Sequence, residues 1–405
     1  MAETIQYYKS LGSNVYMLSL DATKAFDRVQ YSKLFNDLIE KGICTLIIRF
    51  IMIAYINSSA VVSWNGTKSE SFTISNGVKQ GGIISAPLFA MYIDPLLYKV
   101  QKYGKGCNIG NLCANSFAYA DDIVLLSPSC TALKGLVSIC ETFALETKMK
   151  FNPEKCTLLI FSKNPNFYVN NIKIIFDGCE IKNVLSEKHL GHNFDASFVN
   201  SFNLIDFDNV ICDLKVRTNA IITNFKPISW QAKVKLFNSQ CSSLYGSQIW
   251  RLDDRNVANL CTTWKVCCRG ILGLQQRTRS WLIPYLFETM EINDIIMSRM
   301  LNFIISGLNH NSCIVGMFFK NMLLSNCSYM VANLNKILQS LNFKYCDLFV
   351  INKCQLKKHV LLRKNEPDWR VKTIKELLSI NDRQLTCILE HDETQALLDL
   401  LTQER

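Results

Sequence analysis

The chain contains the stretch Ser116-Phe-Ala-Tyr-Ala-Asp-Asp-Ile-Val-Leu-Leu-Ser127, in which two adjacent aspartates separate two short apolar runs. Each run has the length of a strand and is rich in aromatic or β-branched residues, so the stretch predicts a hairpin with Asp121 and Asp122 at its turn. Two neighbouring carboxylates beside core strands repel each other unless a positive charge lies between them. A divalent metal ion is the simplest partner for this pair.

A second apolar run, Val15-Tyr-Met-Leu-Ser-Leu20, ends abruptly in Asp21. If this strand lies beside the hairpin, three carboxylates from two neighbouring strands converge on one site made of hard oxygen ligands. Such a site suits Mg²⁺, which binds one or two carboxylates together with substrate phosphates. Two ions held in this way stabilise the attacking and the leaving oxygen of an in-line displacement at phosphorus.

Three segments resemble the successive palm motifs of reverse transcriptases, most of all those of non-LTR (LINE-like) retrotransposons. They are Leu20-Asp-Ala-Thr-Lys-Ala-Phe-Asp-Arg-Val29, Asn76-Gly-Val-Lys-Gln-Gly-Gly-Ile-Ile-Ser85 and Tyr119-Ala-Asp-Asp122. The resemblance is clear from about residue 1 to 194 and extends through about 283. It implies an RNA-directed DNA polymerase that adds a dNTP to the 3′-hydroxyl of a DNA primer on an RNA template.

The resemblance also assigns roles to particular residues. Asp21, Asp121 and Asp122 would hold two Mg²⁺ ions, with Mn²⁺ as an alternative. Lys155 would donate a proton to the leaving pyrophosphate, although a surface lysine at the start of a strand explains it almost as well. The ring of Phe26 would lie under the nucleotide sugar, where it clashes with a 2′-hydroxyl. The full substrate-binding set would be Ala22, Phe26, Gln80, Gly81 and Tyr119, and the primer grip would include Leu190 and Gly191.

The positive charge of the chain is concentrated in one segment. The net charge is +10, and residues 215–279 contain eleven Lys or Arg against two acids, interleaved with Trp230, Trp250 and Trp264. A solvated helix face is the ordinary explanation of such a pattern. Next to a polymerase-like palm, we instead expect this segment to bind nucleic-acid phosphates. The candidate residues are Lys215, Arg217, Lys226, Lys233 and Lys235.

The predicted fold class is α+β, with a right-hand polymerase palm of antiparallel sheet backed by helices, followed by an all-helical thumb and tail. The expected divisions are a palm over 1–200, a thumb over 201–290 and a helical region of unassigned role over 291–405. No apolar run reaches the ~18 residues of a membrane span, and no signal peptide is evident, so we expect an intracellular protein of the nucleus or cytoplasm. The seventeen scattered cysteines include no Cys-x-x-Cys pair, which favours buried apolar roles over a zinc site.

Two other hypotheses remain open from the sequence. Only twenty residues precede Asp21, so we expect most of the fingers region and an endonuclease domain to be absent, as in a chain truncated at its N-terminus. The alternative function is therefore a catalytically inactive remnant that still binds nucleic acid. Another palm-bearing phosphotransferase, such as a nucleotide cyclase, is disfavoured because those folds lack the glutamine-glycine loop between the acidic strands. The sequence does not indicate an oligomeric state.

Overall fold

The computed structural model describes residues 1–162, 172–196, 204–241, 244–278, 280, 283–287, 291–325, 328–341 and 344. The chain divides into two compact units. The first comprises residues 1–187 and 195–197, and the second comprises residues 188–194 and those from 198 onward. Most of the predicted C-terminal region, from residue 345 on, lies outside the described residues.

The first unit is built on a five-stranded sheet with helices packed against it. Its helices are α1 (Ala2–Ser10), α2 (Tyr31–Glu40), α3 (Thr45–Ile56), α4 (Ser85–Lys102) and α5 (Cys130–Thr147). Its strands are β1 (Val15–Asp21), β2 (Ser59–Ala60), β3 (Ser63–Trp64), β4 (Thr67–Lys68), β5 (Phe72–Thr73), β6 (Asn108–Ile109), β7 (Leu112–Cys113), β8 (Ser116–Tyr119), β9 (Asp122–Ser127), β10 (Thr157–Phe161), β11 (Ile175–Phe176), β12 (Cys179–Glu180) and β13 (Lys182–Val184).

The large sheet has the strand order β13-β10-β1-β9-β8, which places β1 at its centre. β1 runs antiparallel to both β9 and β10, and β8 runs antiparallel to β9. At the edge, β13 pairs with β10 in parallel, which corrects the expectation of a wholly antiparallel sheet. A parallel pair needs a crossover of a dozen or more residues, and the chain between β10 and β13 is long enough to supply it.

Strand alternation sorts the residues of β1 between the two faces of the sheet. Leu18 and Leu20 pack into one buried cluster with residues of the neighbouring strands and with Phe89 of α4 and Leu136 of α5. Because side chains alternate along a strand, Ser19 and Asp21 lie on the opposite face. The opposite face is apolar as well, since Val15 and Met17 are fully buried there, and Asp21 lies at its end.

One turn and one helix cap of this unit adopt the geometry that their sequences predict. Asn65 and Gly66 both have positive φ, of 46° and 83°, and join β3 to β4 in the two-residue hairpin that this dipeptide predicts. The Ser129 hydroxyl accepts a hydrogen bond of 3.2 Å from the Ala132 amide and caps α5.

The second unit contains the tip of a short hairpin followed by helices. The hairpin strands are β14 (Ser186–His189) and β15 (His192–Asp195), and residues 188–194 at its tip belong to this unit. The helices are α6 (Leu204–Asn224), α7 (Trp230–Cys241), α8 (Arg255–Leu272), α9 (Ile283–Leu286), α10 (Ile292–Leu308), α11 (Cys313–Ser325) and α12 (Tyr329–Leu341). The side-chain amide of Asn333 in α12 donates to the Trp250 carbonyl at 2.6 Å, so the last described helix packs onto the segment between α7 and α8.

The predicted α+β class, a sheet core with a palm-like arrangement followed by helices, is confirmed. In the part of the chain that the structure describes, no helix combines the length and the apolar character needed to cross a lipid bilayer.

Candidate active site

Two aspartates face each other at the end of the central strand pair. β1 ends at Asp21, β9 begins at Asp122, and these two residues are direct partners in the antiparallel register. Paired residues of antiparallel strands have Cα atoms roughly 4.5–5.5 Å apart and side chains on the same face. The two carboxylates are therefore held close together by the backbone of the sheet. Like charges at this separation favour a cation between them.

The strand end that carries Asp21 is fastened to residues 151–156, a contact that sequence reasoning did not predict. The Asp21 amide donates to the Cys156 thiol at 3.4 Å, and the Asp21 carbonyl accepts from the Asn152 amide at 2.8 Å. Ala22, which is buried, bridges to Phe151 in antiparallel fashion. The only sequence signal for this clamp is the Asn152-Pro turn that brings the chain back to β1.

Lys155, the predicted proton donor, lies at this clamp. Its ammonium Nζ is 3.9 Å from a carboxylate oxygen of Asp21, and both side chains are partly exposed. An exposed ion pair of this length adds little to stability, so its interest is chemical. The pair places an exposed ammonium group beside Asp21, where a bound phosphate would meet it.

The turn between β8 and β9 holds Asp121 in a strained segment. Ala120 has a φ of +53°, a left-handed conformation that costs an L-residue with a Cβ roughly 1–2 kcal/mol. Asp121 follows it directly, and Tyr119, two-thirds exposed, pairs with Asp122 across the turn. Backbone strain of this kind concentrates at functional sites.

The donor set fits a hard divalent cation only in part. Three aspartates at adjoining strand ends supply the oxygen ligands that Mg²⁺ prefers. Among the described residues, however, no three His, Cys, Asp or Glu side chains converge closely enough to form a metal site as they stand. Two of the expected carboxylates are brought face to face, and the assignment of all three as metal ligands stays a prediction.

The glycine-rich loop is pinned to the segment that follows β1. Gly77 donates its amide to the Val29 carbonyl at 2.8 Å, and Val78 donates to the Phe26 carbonyl at 2.8 Å. Gly77 has a φ of +93°, and a Cβ there would lie 2.9 Å from the Asp27 Cα atom. Only glycine satisfies both constraints. Two motifs that are distant in the sequence are thereby locked together.

The remaining predicted substrate-binding residues lie around this junction. The ring of Phe26 stacks on Phe89 with centroids 4.7 Å apart and an interplanar angle of 12°, which fixes its orientation. Gln80 and Gly81 are exposed at the loop tip, and Gly81 has a φ of +78°. These positions leave the backbone and the amide side chain of the loop open to a ligand.

In the second unit, the predicted primer grip is held by one tyrosine. The Tyr245 hydroxyl donates to the Leu190 carbonyl at 3.1 Å, and its ring stacks on His192 with centroids 5.0 Å apart and an interplanar angle of 4°. Gly191, with a φ of +80°, lies against the same ring, where an added Cβ would be 3.2 Å from a ring carbon. The hairpin tip is therefore a fixed feature of this unit.

The predicted phosphate-binding residues lie on α6, on α7 and in the connection between them. Lys215, Lys226 and Lys235 are exposed. Arg217 is exposed but also donates to the Gln240 carbonyl at 2.8 Å, and Lys233, half-buried, reaches the Lys226 carbonyl at 3.4 Å. The three lysines are the members of the set that the second unit itself leaves available to phosphates.

Two of the three tryptophans in the basic segment do not support the interpretation drawn from their spacing. Trp250 and Trp264 are 3% and 1% exposed, so both belong to the core of the second unit. Trp250 packs against Phe207 with centroids 4.8 Å apart. Their interleaving with basic residues reflects the amphipathic pattern of packed helices.

An acidic strand pair, a glycine loop locked beside it and a helix-backed sheet are the arrangement of a polymerase palm. Comparison with known families gives a more specific result. Residues 1–194 match the family described as reverse transcriptase (RNA-dependent DNA polymerase). That segment of the chain is therefore a reverse transcriptase domain, and the resemblance predicted from its three motifs is confirmed.

Curated relatives are similar over the same region. One is the retrovirus-related Pol polyprotein from the type-2 retrotransposable element R2DM of Drosophila melanogaster, 28% identical over 192 residues, or 45% of this chain and 18% of the relative. Another is the retrovirus-related Pol polyprotein from the type-1 retrotransposable element R2 of Popillia japonica, 29% identical over 46% of this chain and 32% of the relative. The chain thus matches less than a third of the length of these two relatives.

Among solved structures, apo telomerase from Candida tropicalis aligns with 85% of this chain and 54% of its own, at 12% identity and a TM-score of 0.39. A likeness of this degree adds nothing to the assignment of the site.

We predict that Gly77→Ala destabilises the first unit because the added Cβ meets backbone atoms and the φ is unfavourable. The free energy of unfolding should fall by roughly 2 kcal/mol or more, as measured by urea denaturation. Gly66→Ala is the matched control, since Gly66 also has a positive φ but nothing lies within 4 Å of its Cβ position. Its cost should be about 1 kcal/mol. Equal losses for the two variants would show that the loop is not locked to the first motif.

Proposed function

We propose that this chain is the polymerase part of a retrotransposon protein and that it acts as an RNA-directed DNA polymerase. Its substrates would be an RNA template, a DNA primer and a dNTP. The observation that carries the proposal is the register that sets Asp21 opposite Asp122, with the Lys155 ammonium 3.9 Å from Asp21. The family match over residues 1–194 and the retrotransposable-element relatives support the same reaction.

In this proposal the acidic pair and its neighbour Asp121 hold two Mg²⁺ ions. When bound, these ions would supply the positive charge that stabilises the attacking and leaving oxygens of the displacement at phosphorus. The sheet contributes preorganisation, since the backbone register fixes the carboxylates before any substrate binds. Asp21 and Asp121 would be the principal ligands, and Asp122 would complete the acidic cluster.

The surrounding residues would select and orient the nucleotide. Phe26, fixed by its stack on Phe89, would lie under the sugar and exclude a 2′-hydroxyl. Gln80 and Gly81 would position the nascent base pair, with Ala22 and Tyr119 lining the same site. Leu190 and Gly191 would hold the primer end, and the exposed lysines of the second unit would bind the phosphates of the duplex.

Primer extension tests the reaction directly. The full chain should extend a DNA primer on an RNA template with dNTPs and Mg²⁺, and Asp121→Asn should lower the rate about a thousandfold or more because a carboxylate ligand is lost. Asp177→Asn is a matched control, because Asp177 lies in the turn between β11 and β12 and also has a positive φ, which asparagine adopts readily. Extension that survives Asp121→Asn would contradict the proposal. A chain that binds the duplex but never extends it would instead be the catalytically inactive binding remnant.

Lys155→Ala should lower the single-turnover rate about a hundredfold, the usual contribution of a positioned general acid. Binding of the dNTP should change much less, because the proposed role is proton donation at the leaving pyrophosphate. Lys150→Ala serves as the control, since Lys150 is an exposed lysine of the same connection. A loss of dNTP affinity with an unchanged rate would show that Lys155 acts only as a binding charge.

Replacing Lys215, Lys226 and Lys235 together by glutamine should weaken duplex binding and flatten its salt dependence. Each lost phosphate contact should reduce the slope of log K against log salt by roughly 0.7–0.9, as measured by fluorescence anisotropy across a salt series. Lys265→Gln is the control, because the Lys265 ammonium is 3.5 Å from the Glu291 carboxylate and is engaged within the unit. An unchanged slope in the triple variant would place the duplex elsewhere.

A further inference from the structure

Three buried polar groups meet in the first unit on the sheet face that carries Asp21. They are the hydroxyls of Ser19 and Thr157 and the carboxyl group of Glu187. Within the described residues, Ser19 Oγ, Thr157 Oγ1 and Glu187 Oε2 are shielded from solvent and lack a partner in full hydrogen-bond geometry. Burial of such atoms is unfavourable, and native structures contain few of them. A cluster of three therefore calls for a functional explanation.

The strand register locates this cluster directly beside the acidic site. Ser19 of β1 is the partner of Thr157 of β10, and it precedes Asp21 by two residues. Residues two apart on a strand share a face, so the Ser19 hydroxyl lies one step along the sheet from the Asp21 carboxylate. Thr157 in turn follows Lys155 by two residues, and the Lys155 ammonium is 3.9 Å from the Asp21 carboxylate.

The Glu187 carboxyl group lies against both hydroxyls and near the acidic pair. Burial raises the pKa of Glu187, the nearby hydroxyls of Ser19 and Thr157 lower this pKa, and the charge of Asp122 raises it again. Glu187 of β14 therefore lies close to the paired Ser19 and Thr157 of the large sheet. Apolar side chains would fill the same space without leaving three polar atoms unsatisfied, so simple packing does not account for the trio.

We propose that Glu187 is a positioning residue of the acidic site, which through Ser19 and Thr157 holds the strand ends that carry Asp21 and Lys155. The Glu187 carboxyl group can accept hydrogen bonds from both hydroxyls, and small adjustments complete them. This inference rests on the proposed polymerase function for the role of the acidic site. The positioning by Glu187 can be measured without catalysis.

Binding of Mn²⁺ to the full chain, followed by the electron paramagnetic resonance signal of the free ion, tests the positioning. Outer residues that orient metal ligands typically contribute about 10–100-fold to metal affinity, so Glu187→Ala should weaken Mn²⁺ binding about tenfold. Glu187→Gln should restore binding to within about twofold of the unsubstituted chain, because the amide keeps the size and the hydrogen bonds to both hydroxyls. Glu180→Ala is the control, since Glu180 is exposed on β12 and paired with Lys173 at 2.9 Å.

A double-mutant cycle distinguishes positioning from general damage to the fold. Ser19→Ala alone should weaken Mn²⁺ binding, and in the Glu187→Ala background it should have little further effect, because coupled residues are not additive. If Glu187→Ala lowers the thermal stability of the chain, the near-isosteric Thr157→Val removes one partner hydroxyl and provides the same comparison. In primer extension, the Glu187→Ala variant should lose kcat with little change in the KM for dNTP.

Several results would overturn the inference. Unchanged Mn²⁺ binding in Glu187→Ala would show that the residue does not support the site. If Glu187→Gln and Glu187→Ala weaken Mn²⁺ binding equally, the charge of Glu187, and not its hydrogen-bonding geometry, supports the site. If Asp122→Asn does not change Mn²⁺ binding, the ion does not bind at the acidic pair, and Glu187 has no site to position. By contrast, the chain could bind Mn²⁺ in a way that depends on Asp122 and Glu187 and still not extend a primer. That result would contradict the polymerase function but support the positioning role of Glu187.

Discussion

The pairing of β1 with β9 sets two like charges opposite each other, and the rest of the first unit has to sustain that arrangement. The repulsion between Asp21 and Asp122 opposes the register, whereas the apolar residues behind them enforce it. Leu18, Leu20, Ile123 and Leu125 are each at most 2% exposed. Met17, Val124 and Leu126 on the opposite face are fully buried as well. The two strands are therefore packed on both faces, and the hydrophobic core holds the acidic pair in place.

The other motifs are attached to this strand pair by backbone contacts. The segment around Asn152 and Cys156 holds the end of β1, and the loop at Gly77 bonds to the backbone that follows it. Main-chain hydrogen bonds tolerate changes in neighbouring side chains, but they demand a particular backbone conformation. Gly77 shows the consequence, since its φ and the proximity of Asp27 exclude every residue with a side chain. Residues distant in sequence thus form one site mainly because backbone contacts bring them together. Side-chain contacts are secondary.

The sequence predicted the parts of this site that depend on local pattern. Short apolar runs interrupted by Asp21 and by the Asp121–Asp122 pair indicate strands and turns, and the motif resemblance supplies their relative order. The clamp by Cys156 and the buried Glu187 were missed, because each depends on a contact between residues far apart in the chain and has no periodic signal. Trp250 and Trp264 were misinterpreted for a related reason. Composition shows that aromatic and basic residues alternate along a segment, but only packing shows which of them reach solvent.

The burial of those tryptophans changes what the basic segment can recognise. Exposed aromatic rings can stack on unpaired bases, whereas lysines on a helix surface contact phosphates, which carry no sequence information directly. With Trp250 and Trp264 inside the core, the exposed lysines Lys215, Lys226 and Lys235 are left to act through charge. If the proposed function holds, such a surface would bind a duplex without regard to its sequence. That property would suit a polymerase that moves along its template, because a base-specific contact would hold it at one position.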